Sequence, residues 1–284
     1  MQNKILDGKS LSKSILQELQ KKATILQKEK NITPGLAVIL VGNDHASEIY
    51  VQKKYDACIN NNFYSKIFRL DNNVTQSELI NLINELNNNT DIHGILIQLP
   101  LPNHINQLEV IEAINPKKDV DGFHPYNMGR LAIKQPLIRP CTPKGIIRLL
   151  EHYNIEMKSK HVVIIGASNI VGRPLALEML LQGATTTICH HSTDKNNLKN
   201  LCQNADILCT ATGVIDVIPT EWIKNDSVIV DIGINRMENG KIRGDINFNE
   251  AIEKVKFITP VPGGVGPMTV AMLLENTYNS SNTL

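Results

Sequence analysis

The sequence predicts an α/β protein built from two α/β domains, the second of them Rossmann-like with a parallel sheet. A chain of 284 residues lies in the size range where a single core gives way to two domains. Short apolar runs alternate with helical periodicity at the spacing of β-α-β units, once in each half of the chain. A glycine-containing turn from Gly166 to Gly172 follows one of these runs in the second half.

The first alternation occupies the amino-terminal part of the chain. Residues 36–41 form an uninterrupted apolar run after Pro34-Gly35, which is typical of a buried parallel strand. Thr75 and Glu78 form the pattern of a capping box, so a helix is expected to begin there. The predicted helices are residues 11–27, 47–61 and 75–86, and the predicted strands are residues 36–41, 66–70 and 94–98.

The second alternation follows residues 116–143, whose turn-forming composition and poor periodicity predict an interdomain connection. Thr142-Pro143 predicts a helix start, capped by the threonine, that continues to about residue 152. Asn239-Gly240 predicts a hairpin turn. The predicted strands are residues 161–165, 185–189, 207–211 and 228–231, and the predicted helices are residues 174–182, 197–204 and 267–278.

The composition argues against several classes of protein. Apolar residues make up 42% of the chain, and 29 basic and 28 acidic residues give a net charge of +1, so disorder, nucleic acid and anionic membranes are not indicated. The amino terminus has no apolar run of signal-peptide length, and no run approaches the ~20 residues of a membrane-spanning helix. Five cysteines without paired spacing indicate reduced thiols in the cytoplasm, and the eight histidines form no metal-binding motif.

The turn from Gly166 to Gly172 is a candidate phosphate site. It stands between a predicted strand and a predicted helix, where glycines let the backbone approach a pyrophosphate and helix N–H groups attract anions. Its spacing, Gly-x-Ser-x-x-x-Gly, departs from G-x-G-x-x-G, so a plain strand-to-helix turn is a serious alternative. The position directly after a strand favours dinucleotide binding.

The residues around this turn favour NADP over NAD. The strand 185–189 is followed by His190-His191, where a carboxylate would be expected for the ribose 2′-hydroxyl of NAD. Arg173, one residue past the second glycine, could pair with the 2′-phosphate of NADP. In the alternative interpretation, Arg173 is a solvated helix residue and the histidines belong to a loop.

Tyr50 and Lys54 are candidates for a reaction centre. Their separation of four residues places them on one face of a predicted helix. Partial burial beside a phenol disfavours a charged ammonium, so such a lysine can pass protons near neutral pH. An ordinary amphipathic helix explains the spacing equally well. Short-chain dehydrogenases carry Tyr-x-x-x-Lys after the glycine turn, whereas here it precedes the turn, so that family is not favoured.

Further motifs occur in a fixed order around these two candidate sites. They are Gln98-Leu99-Pro100-Leu101-Pro102, Asp119-Val120-Asp121-Gly122, Pro140-Cys141-Thr142-Pro143-Lys144-Gly145, Asp231-Ile232-Gly233-Ile234-Asn235 and Pro-Gly-Gly-Val-Gly-Pro at 262–267. Together with Tyr50-Val51-x-x-Lys54 and the glycine turn, they extend over almost the whole chain. With these motifs the sequence resembles the bifunctional methylenetetrahydrofolate dehydrogenase/methenyltetrahydrofolate cyclohydrolase family.

The resemblance implies two α/β domains with a cleft between them. Residues 1–120, together with a C-terminal helix at about 270–284, would form the catalytic, folate-binding domain, and residues 140–269 would form the NADP-binding domain. The implied reactions are NADP-dependent oxidation of 5,10-methylenetetrahydrofolate and hydrolysis of the methenyl product to 10-formyltetrahydrofolate. The implied assembly is a cytoplasmic homodimer.

The resemblance also assigns roles to residues of this sequence. Lys54 would be the acid/base of the cyclohydrolase step, Gln98 would orient it, and Tyr50 would flank the pterin. Asp121 would accept hydrogen bonds from the N–H groups of the pterin. The remaining folate-binding positions would be Leu99, Pro262, Gly263 and Gly264.

The cofactor-binding positions implied by the resemblance lie in the second half of the chain. They are Gly166, Ala167, Ser168, Arg173, His191, Ile232, Thr142 and Thr212. His191 departs from relatives that carry arginine there, and histidine is a weaker, pH-dependent phosphate ligand. The strength of the NADP preference is therefore open.

Three alternatives stay open. The chain could be a dehydrogenase that has lost efficient cyclohydrolysis, or another NAD(P)-dependent dehydrogenase of similar two-domain build. It could also be a binding protein without activity on the same scaffold, although none of the proposed catalytic positions is substituted.

Overall fold

The fold consists of two α/β units with parallel sheets, as the sequence predicts. A computed structural model describes residues 4–237 and 239–283. The N-terminal unit comprises Lys13–Cys141 with residues 270–283, and the C-terminal unit comprises Thr142–Thr269 with residues 4–12. Residues 4–12 thus group with the second unit and not with the first, where the sequence placed them, because Leu6 is buried in the core of the C-terminal unit and its N–H donates to Ile258 O at 2.9 Å.

The N-terminal unit is built on a parallel sheet with the strand order β2-β1-β3. Its strands are β1 (Gly35–Val41), β2 (Tyr64–Leu70) and β3 (Gly94–Ile97). Its helices are α2 (His45–Asn60), α3 (Gln76–Asn88), α4 (Gln107–Glu112) and α5 (Pro125–Ala132), together with most of α1 (Gly8–Lys30) and the end of α10 (Val265–Thr283).

The capping box at the start of α3 is confirmed. The Thr75 hydroxyl accepts from Glu78 N, while the Glu78 carboxylate accepts from Thr75 N. The helix then buries Leu79, Ile83 and Leu86 against the apolar strands, which removes this face from water.

The strand order of this sheet has a switch point at β1. Strand β2 is added on one side of β1 and strand β3 on the other. Ligands usually bind beyond the carboxyl ends of the strands at such a point.

The C-terminal unit is built on a larger parallel sheet with the order β10-β7-β6-β4-β5. Its parallel strands are β4 (His161–Ile165), β5 (Thr185–Cys189), β6 (Ile207–Thr210), β7 (Val228–Asp231) and β10 (Phe257–Ile258). Its helices are α7 (Gly172–Leu181), α8 (Lys195–Asn204) and α9 (Phe248–Lys254), with most of α6 (Cys141–His152), and a hairpin pairs β8 (Asn235–Arg236) with β9 (Ile242–Arg243).

Both faces of this larger sheet are covered. Along β4, Val162 and Ile164 pack into one core cluster, while Val163 and Ile165 pack into another. This alternation explains why the strand is apolar at successive positions, as is usual for parallel strands between helices. The arrangement is the doubly wound fold expected from the sequence, with its switch point between β4 and β6.

One helix was not predicted, and the start of another was misplaced. Residues 116–143, predicted to connect the domains, contain α5, which begins at Pro125 after the capping side chain of His124. The helix α6 begins at Cys141, so Thr142 lies in its first turn and is not its cap. There the Thr142 hydroxyl is 2.9 Å from the hydroxyl of Thr269.

The five cysteines are buried, as expected of small core residues.

Within residues 4–237 and 239–283, none of the helices combines the length and the apolar character needed to cross a bilayer.

A buried histidine in the N-terminal unit makes stability depend on pH. His93 is 7% exposed, and its Nδ1 accepts a hydrogen bond from Gly35 N at 3.0 Å. Burial, assisted by the charge of Lys118, lowers the pKa of His93 below its ordinary value of 6.5, while Asp91 opposes this shift. The contribution of the neutral imidazole to stability is complete above this ordinary value and is lost as the pH falls below it.

We therefore expect the stability advantage of the wild type over His93→Gln to shrink as the pH falls below 6.5. The change in the difference of unfolding free energies should not exceed about 1.4 kcal/mol per pH unit. Urea denaturation across this pH range measures it, with the exposed His45→Gln as the matched control. A difference that stayed constant with pH would contradict the assignment.

Candidate functional site

Lys54 and Gln98 meet at the carboxyl edge of the N-terminal sheet. Lys54 lies on α2, which follows β1, and Gln98 directly follows β3. The Lys54 ammonium Nζ donates to Gln98 Oε1 at 3.0 Å, and both side chains are half-buried. Gln98 is itself fixed, because its N–H donates to Ile39 O at 2.9 Å and its Nε2 donates to Leu99 O at 2.8 Å. The amine is therefore held by a rigid neutral acceptor at the edge where ligands bind.

Asp121 lies within the electrostatic range of Lys54. Burial raises the pKa of the half-buried Asp121 carboxyl, while the nearby charge of Lys54 and the thiol of Cys141 lower it. The Asp121 carbonyl also accepts from Cys141 N at 3.3 Å. Within this unit Lys54 thus bonds the Gln98 amide oxygen and acts electrostatically on the Asp121 carboxyl.

Tyr50 and Leu99 adjoin these residues. Tyr50 precedes Lys54 by one helical turn and is half-buried, and Lys53 Nζ lies 5.7 Å from the centre of its ring. Leu99 and Asp121 line a narrow cavity together with Ile95, Ile97, Ile111, Ile114, Asp119 and Phe123. With a volume of about 10 Å³ this cavity has room for no more than about one water molecule, so it does not by itself define a ligand site.

Asp119 is a buried carboxylate of this region that sequence reasoning did not single out. It is 2% exposed and accepts from His124 N and Asn127 Nδ2, each at 2.8 Å. Burial raises its pKa to about 7, against the opposing effect of these donors. Asp119 and Asp121 are separated by one residue in Asp119-Val120-Asp121. This pair of carboxylates is the signal in the sequence that could have identified Asp119. The hydrogen bonds of the Asp119 carboxylate hold the loop from residue 119 to residue 127, and this loop positions Asp121.

Pro262, Gly263 and Gly264 belong to the C-terminal unit and so lie in a different unit from Lys54. They form a tight loop in which Gly264 N donates to Pro260 O at 2.8 Å and Gly263 O accepts from Lys9 N at 2.8 Å. A Cβ on Gly264 would lie 2.7 Å from both Pro260 O and the Thr259 Cβ. The loop therefore requires glycine for close backbone packing, whether or not it contacts a ligand.

The glycine turn lies at the switch point of the C-terminal sheet. Gly166 directly follows β4 and has a φ of +116°, and a Cβ there would lie 2.4 Å from the carbonyl oxygen of Ala211, which directly follows β6. A Cβ on Gly172 would lie 1.9 Å from Gly166 O. Ser168 closes the turn, because its hydroxyl accepts from Val171 N at 3.1 Å and from Gly172 N at 3.4 Å. Only glycine fits both positions, and this fixes the start of α7.

The residues at this turn fit a dinucleotide phosphate. Arg173 is exposed at the first turn of α7, and its Nε donates to Ala167 O at 3.1 Å, so the guanidinium is anchored beside the turn. A helix start with an anchored guanidinium attracts an anion. His191 is exposed after β5, with its ring centre 5.8 Å from that of His190.

Thr212 and Ile232 follow β6 and β7 at the same edge of the sheet. Thr212 N and its hydroxyl both donate to the carboxylate of Asp245, at 2.7 Å and 2.8 Å. Ile232 is half-buried, and its N–H donates to Thr210 O at 2.8 Å. Asp231 and Asp245, which hold these loops, were not identified from the sequence as site residues.

In the part of the chain that the structure describes, no group of three or more histidine, cysteine, aspartate or glutamate side chains could hold a metal ion.

These features define a two-domain α/β protein with a Rossmann-like C-terminal unit and with Lys54 bonded to Gln98 at the carboxyl edge of the other sheet. Comparison with known proteins gives the family. The model of the tetrahydrofolate dehydrogenase/cyclohydrolase catalytic domain matches residues 6–121, and that of the NAD(P)-binding domain matches residues 140–284. The chain belongs to the tetrahydrofolate dehydrogenase/cyclohydrolase family, and the resemblance seen in the sequence is confirmed.

Individual relatives are similar over nearly their whole length. The bifunctional protein FolD of Legionella pneumophila (strain Corby) is 53% identical over 280 residues, which cover 99% of this chain and 98% of that protein. The crystal structure of FolD from Campylobacter jejuni is 48% identical with a TM-score of 0.96, covering 98% of each chain. The Trypanosoma brucei enzyme, solved with NADP and an inhibitor, is 34% identical with a TM-score of 0.94, covering 98% of this chain and 97% of that one.

Proposed function

We propose that this protein oxidises 5,10-methylenetetrahydrofolate with NADP and hydrolyses the methenyl product to 10-formyltetrahydrofolate. The observation that carries the proposal is the hydrogen bond of 3.0 Å between Lys54 Nζ and Gln98 Oε1, next to Asp121, in a chain of this family. The N-terminal unit would bind folate and perform the hydrolysis, and the C-terminal unit would bind the dinucleotide.

The hydrolysis is assigned to Lys54. Water attacks the carbon that bridges the two nitrogens of the methenyl cation, and Lys54, acting in its neutral form once the cationic substrate is bound, takes a proton from this water. The ammonium then returns this proton to the ring nitrogen as the carbon–nitrogen bond breaks. The remaining proton of the added water is released to solvent, which leaves the formyl group on the other nitrogen. Gln98 accepts a hydrogen bond from Lys54 Nζ. This bond orients the amine so that its lone pair faces the substrate. General acid–base catalysis of this kind contributes about 10²–10⁴ in rate.

Folate recognition is assigned to Asp121, Tyr50 and Leu99. An ionised Asp121 accepts hydrogen bonds from the N–H groups of the pterin. In the free protein the charge of Lys54 lowers the pKa of this carboxyl. Tyr50 and Leu99 would pack against the ring. From the resemblance of the sequence, Pro262, Gly263 and Gly264 are also proposed to contact the folate.

The hydride transfer requires orientation more than side-chain chemistry. When bound, NADP accepts the hydride from the one-carbon bridge. Arg173 and His191 are proposed to hold its 2′-phosphate, with Gly166, Ala167 and Ser168 at the pyrophosphate. The remaining proposed cofactor contacts are Thr142, Thr212 and Ile232.

Initial rates test this function. With 5,10-methylenetetrahydrofolate, we expect reduction of NADP at a higher kcat/KM than reduction of NAD, and hydrolysis of added methenyltetrahydrofolate without any dinucleotide. A preference for NAD would overturn the assignment of Arg173 and His191. The absence of folate turnover with both dinucleotides would overturn the proposed function.

Asp121→Asn is expected to weaken both activities together. Loss of a charge-assisted hydrogen bond of about 1.5–3 kcal/mol corresponds to a decrease in kcat/KM of roughly 10- to 100-fold. The decrease should appear with both folate substrates, while the KM for NADP stays unchanged. The matched control is Asp56→Asn, which removes an exposed carboxylate from α2. Normal folate kinetics in Asp121→Asn would contradict the pterin contact.

We also propose, from the resemblance of the sequence, that the protein is a cytoplasmic homodimer. Sedimentation equilibrium tests the assembly, and a particle of twice the chain mass of 31.6 kDa is the expected result. A single species of the chain mass at micromolar concentration would contradict it.

A further inference from the structure

Asp245 joins two loops at the carboxyl edge of the C-terminal sheet. It is 0% exposed, although it is an acidic residue. Its Oδ2 accepts from Thr212 N at 2.7 Å, from the Thr212 hydroxyl at 2.8 Å and from Gly213 N at 3.3 Å, all in the loop after β6. Its Oδ1 accepts from Asn235 Nδ2 at 2.9 Å, in the segment after β7. One carboxylate therefore sets the distance between the two loops.

Asp231 fixes the segment that carries Asp245. It ends β7, is 3% exposed, and its Oδ1 accepts from Gly233 N and Asp245 N, each at 3.0 Å. Its Oδ2 accepts from Ile246 N at 2.9 Å. The Asp231 carboxylate thus holds the backbone of Asp245, so a disturbance of Asp231 displaces Asp245.

The glycines around the pair leave no room for adjustment. A Cβ on Gly233 would lie 2.0 Å from Asp245 Oδ1, and a Cβ on Gly244 would lie 2.0 Å from Asp231 Oδ2. The backbone therefore packs directly on each carboxylate. The positions of the loops around Gly233 and Gly244 therefore depend on the two carboxylates that their backbone contacts.

Two neighbouring buried carboxylates are a costly means of stabilising a fold. Burial raises the pKa of Asp231 to about 6, and the charge of Asp245 acts in the same direction. Buried charges contribute little net stability compared with apolar residues of similar size. Their place is informative, because the loops they hold include Thr212 and Ile232, at the edge where a dinucleotide binds in this type of sheet.

We propose that Asp231 and Asp245 are positioning residues for the dinucleotide, holding Thr212 and Ile232 at the distance that the cofactor requires. The inference rests on the proposed function of the C-terminal unit. It assigns the pair a role in cofactor affinity that the hydrolysis, which needs no dinucleotide, does not share.

Asp245→Asn provides the test. The amide replaces one acceptor oxygen with a donor that faces other donors, so the loops should separate. We expect the Kd for NADP, measured by calorimetry, and the KM for NADP each to rise at least tenfold, with kcat reduced less than this and the rate of methenyltetrahydrofolate hydrolysis within twofold of wild type. Asp231→Asn should behave alike. The matched control is Asp226→Asn, exposed near the amino end of the same strand, which should bind NADP normally.

The outcomes separate the two proposals. A wild type that neither binds NADP nor reduces it would overturn the proposed function. If the wild type binds NADP, two results for Asp245→Asn would overturn the positioning role. One is an unchanged Kd for NADP, and the other is a loss of hydrolysis as large as the loss of NADP binding. If Asp245→Asn does not fold, Asn235→Ala decides, since it removes one donor to Asp245 and leaves the carboxylate. An increase of about threefold in the Kd for NADP supports the role, and an unchanged Kd overturns it.

Discussion

Lys54→Met is expected to abolish the cyclohydrolase reaction and to leave NADP reduction measurable. Methionine has a similar length but has no group that can take or return a proton, so the hydrolysis loses its acid/base. The expected decrease in kcat for methenyltetrahydrofolate hydrolysis is about 10²–10⁴-fold. Hydride transfer needs no proton from this side chain, and it therefore continues while methenyltetrahydrofolate accumulates.

Lys53→Met is the matched control for this experiment. Lys53 is the adjacent residue on α2 and is exposed, with its Nζ 5.7 Å from the centre of the Tyr50 ring. The same charge is removed, but the bond to Gln98 is kept, so hydrolysis should change by less than about tenfold. Full hydrolysis in Lys54→Met would remove Lys54 from the mechanism.

Gly172→Ala is expected to have the opposite effect, with loss of the dehydrogenase and retention of the cyclohydrolase. The added Cβ would lie 1.9 Å from Gly166 O and 3.1 Å from the Ala167 Cα, and these are backbone atoms that cannot rotate away. The turn must therefore move, and a displacement of about 1 Å at a positioning element can cost about 100-fold in rate. Stopped assays of NADP reduction and of methenyltetrahydrofolate hydrolysis on the same preparation measure the two effects.

Gly129→Ala serves as the control for adding a methyl group to a helix. Gly129 lies within α5, and a Cβ there meets no atom within 4 Å. Both activities should be unchanged, and the helix should be slightly more stable. If Gly172→Ala bound NADP as tightly as the wild type, the glycine turn would not be the phosphate site.

The regular elements were predictable where local chemistry decides the structure. The run at 36–41 is apolar without interruption because both faces of a parallel strand are buried, and the Thr75 capping box marks its helix by two reciprocal bonds. Helix α5 was missed because side-chain bonds to the preceding loop hold it. Asn127, inside it, donates to Asp119 Oδ2 and to Pro116 O, and these partners are not visible in a local pattern.

In the candidate site, too, the contacts that follow from the topology were predictable and the others were not. Lys54 and Gln98 are 44 positions apart, yet their common location at the carboxyl edge follows from β-α-β topology. The pairing of Asp231 with Asp245 does not follow from any spacing, because a hairpin between them sets it. Leu6 likewise joined the other unit through pairing with Ile258, a contact between distant parts of the chain that composition does not indicate.

One measurement tests most directly whether a single chain carries both reactions at separate residues. A time course with 5,10-methylenetetrahydrofolate and NADP would record NADPH and methenyltetrahydrofolate together, for the wild type and for Lys54→Met. The account predicts NADPH with little methenyltetrahydrofolate in the wild type, and equal amounts of both in the variant. Equal accumulation in the wild type, or no accumulation in a variant that still forms NADPH, would contradict it.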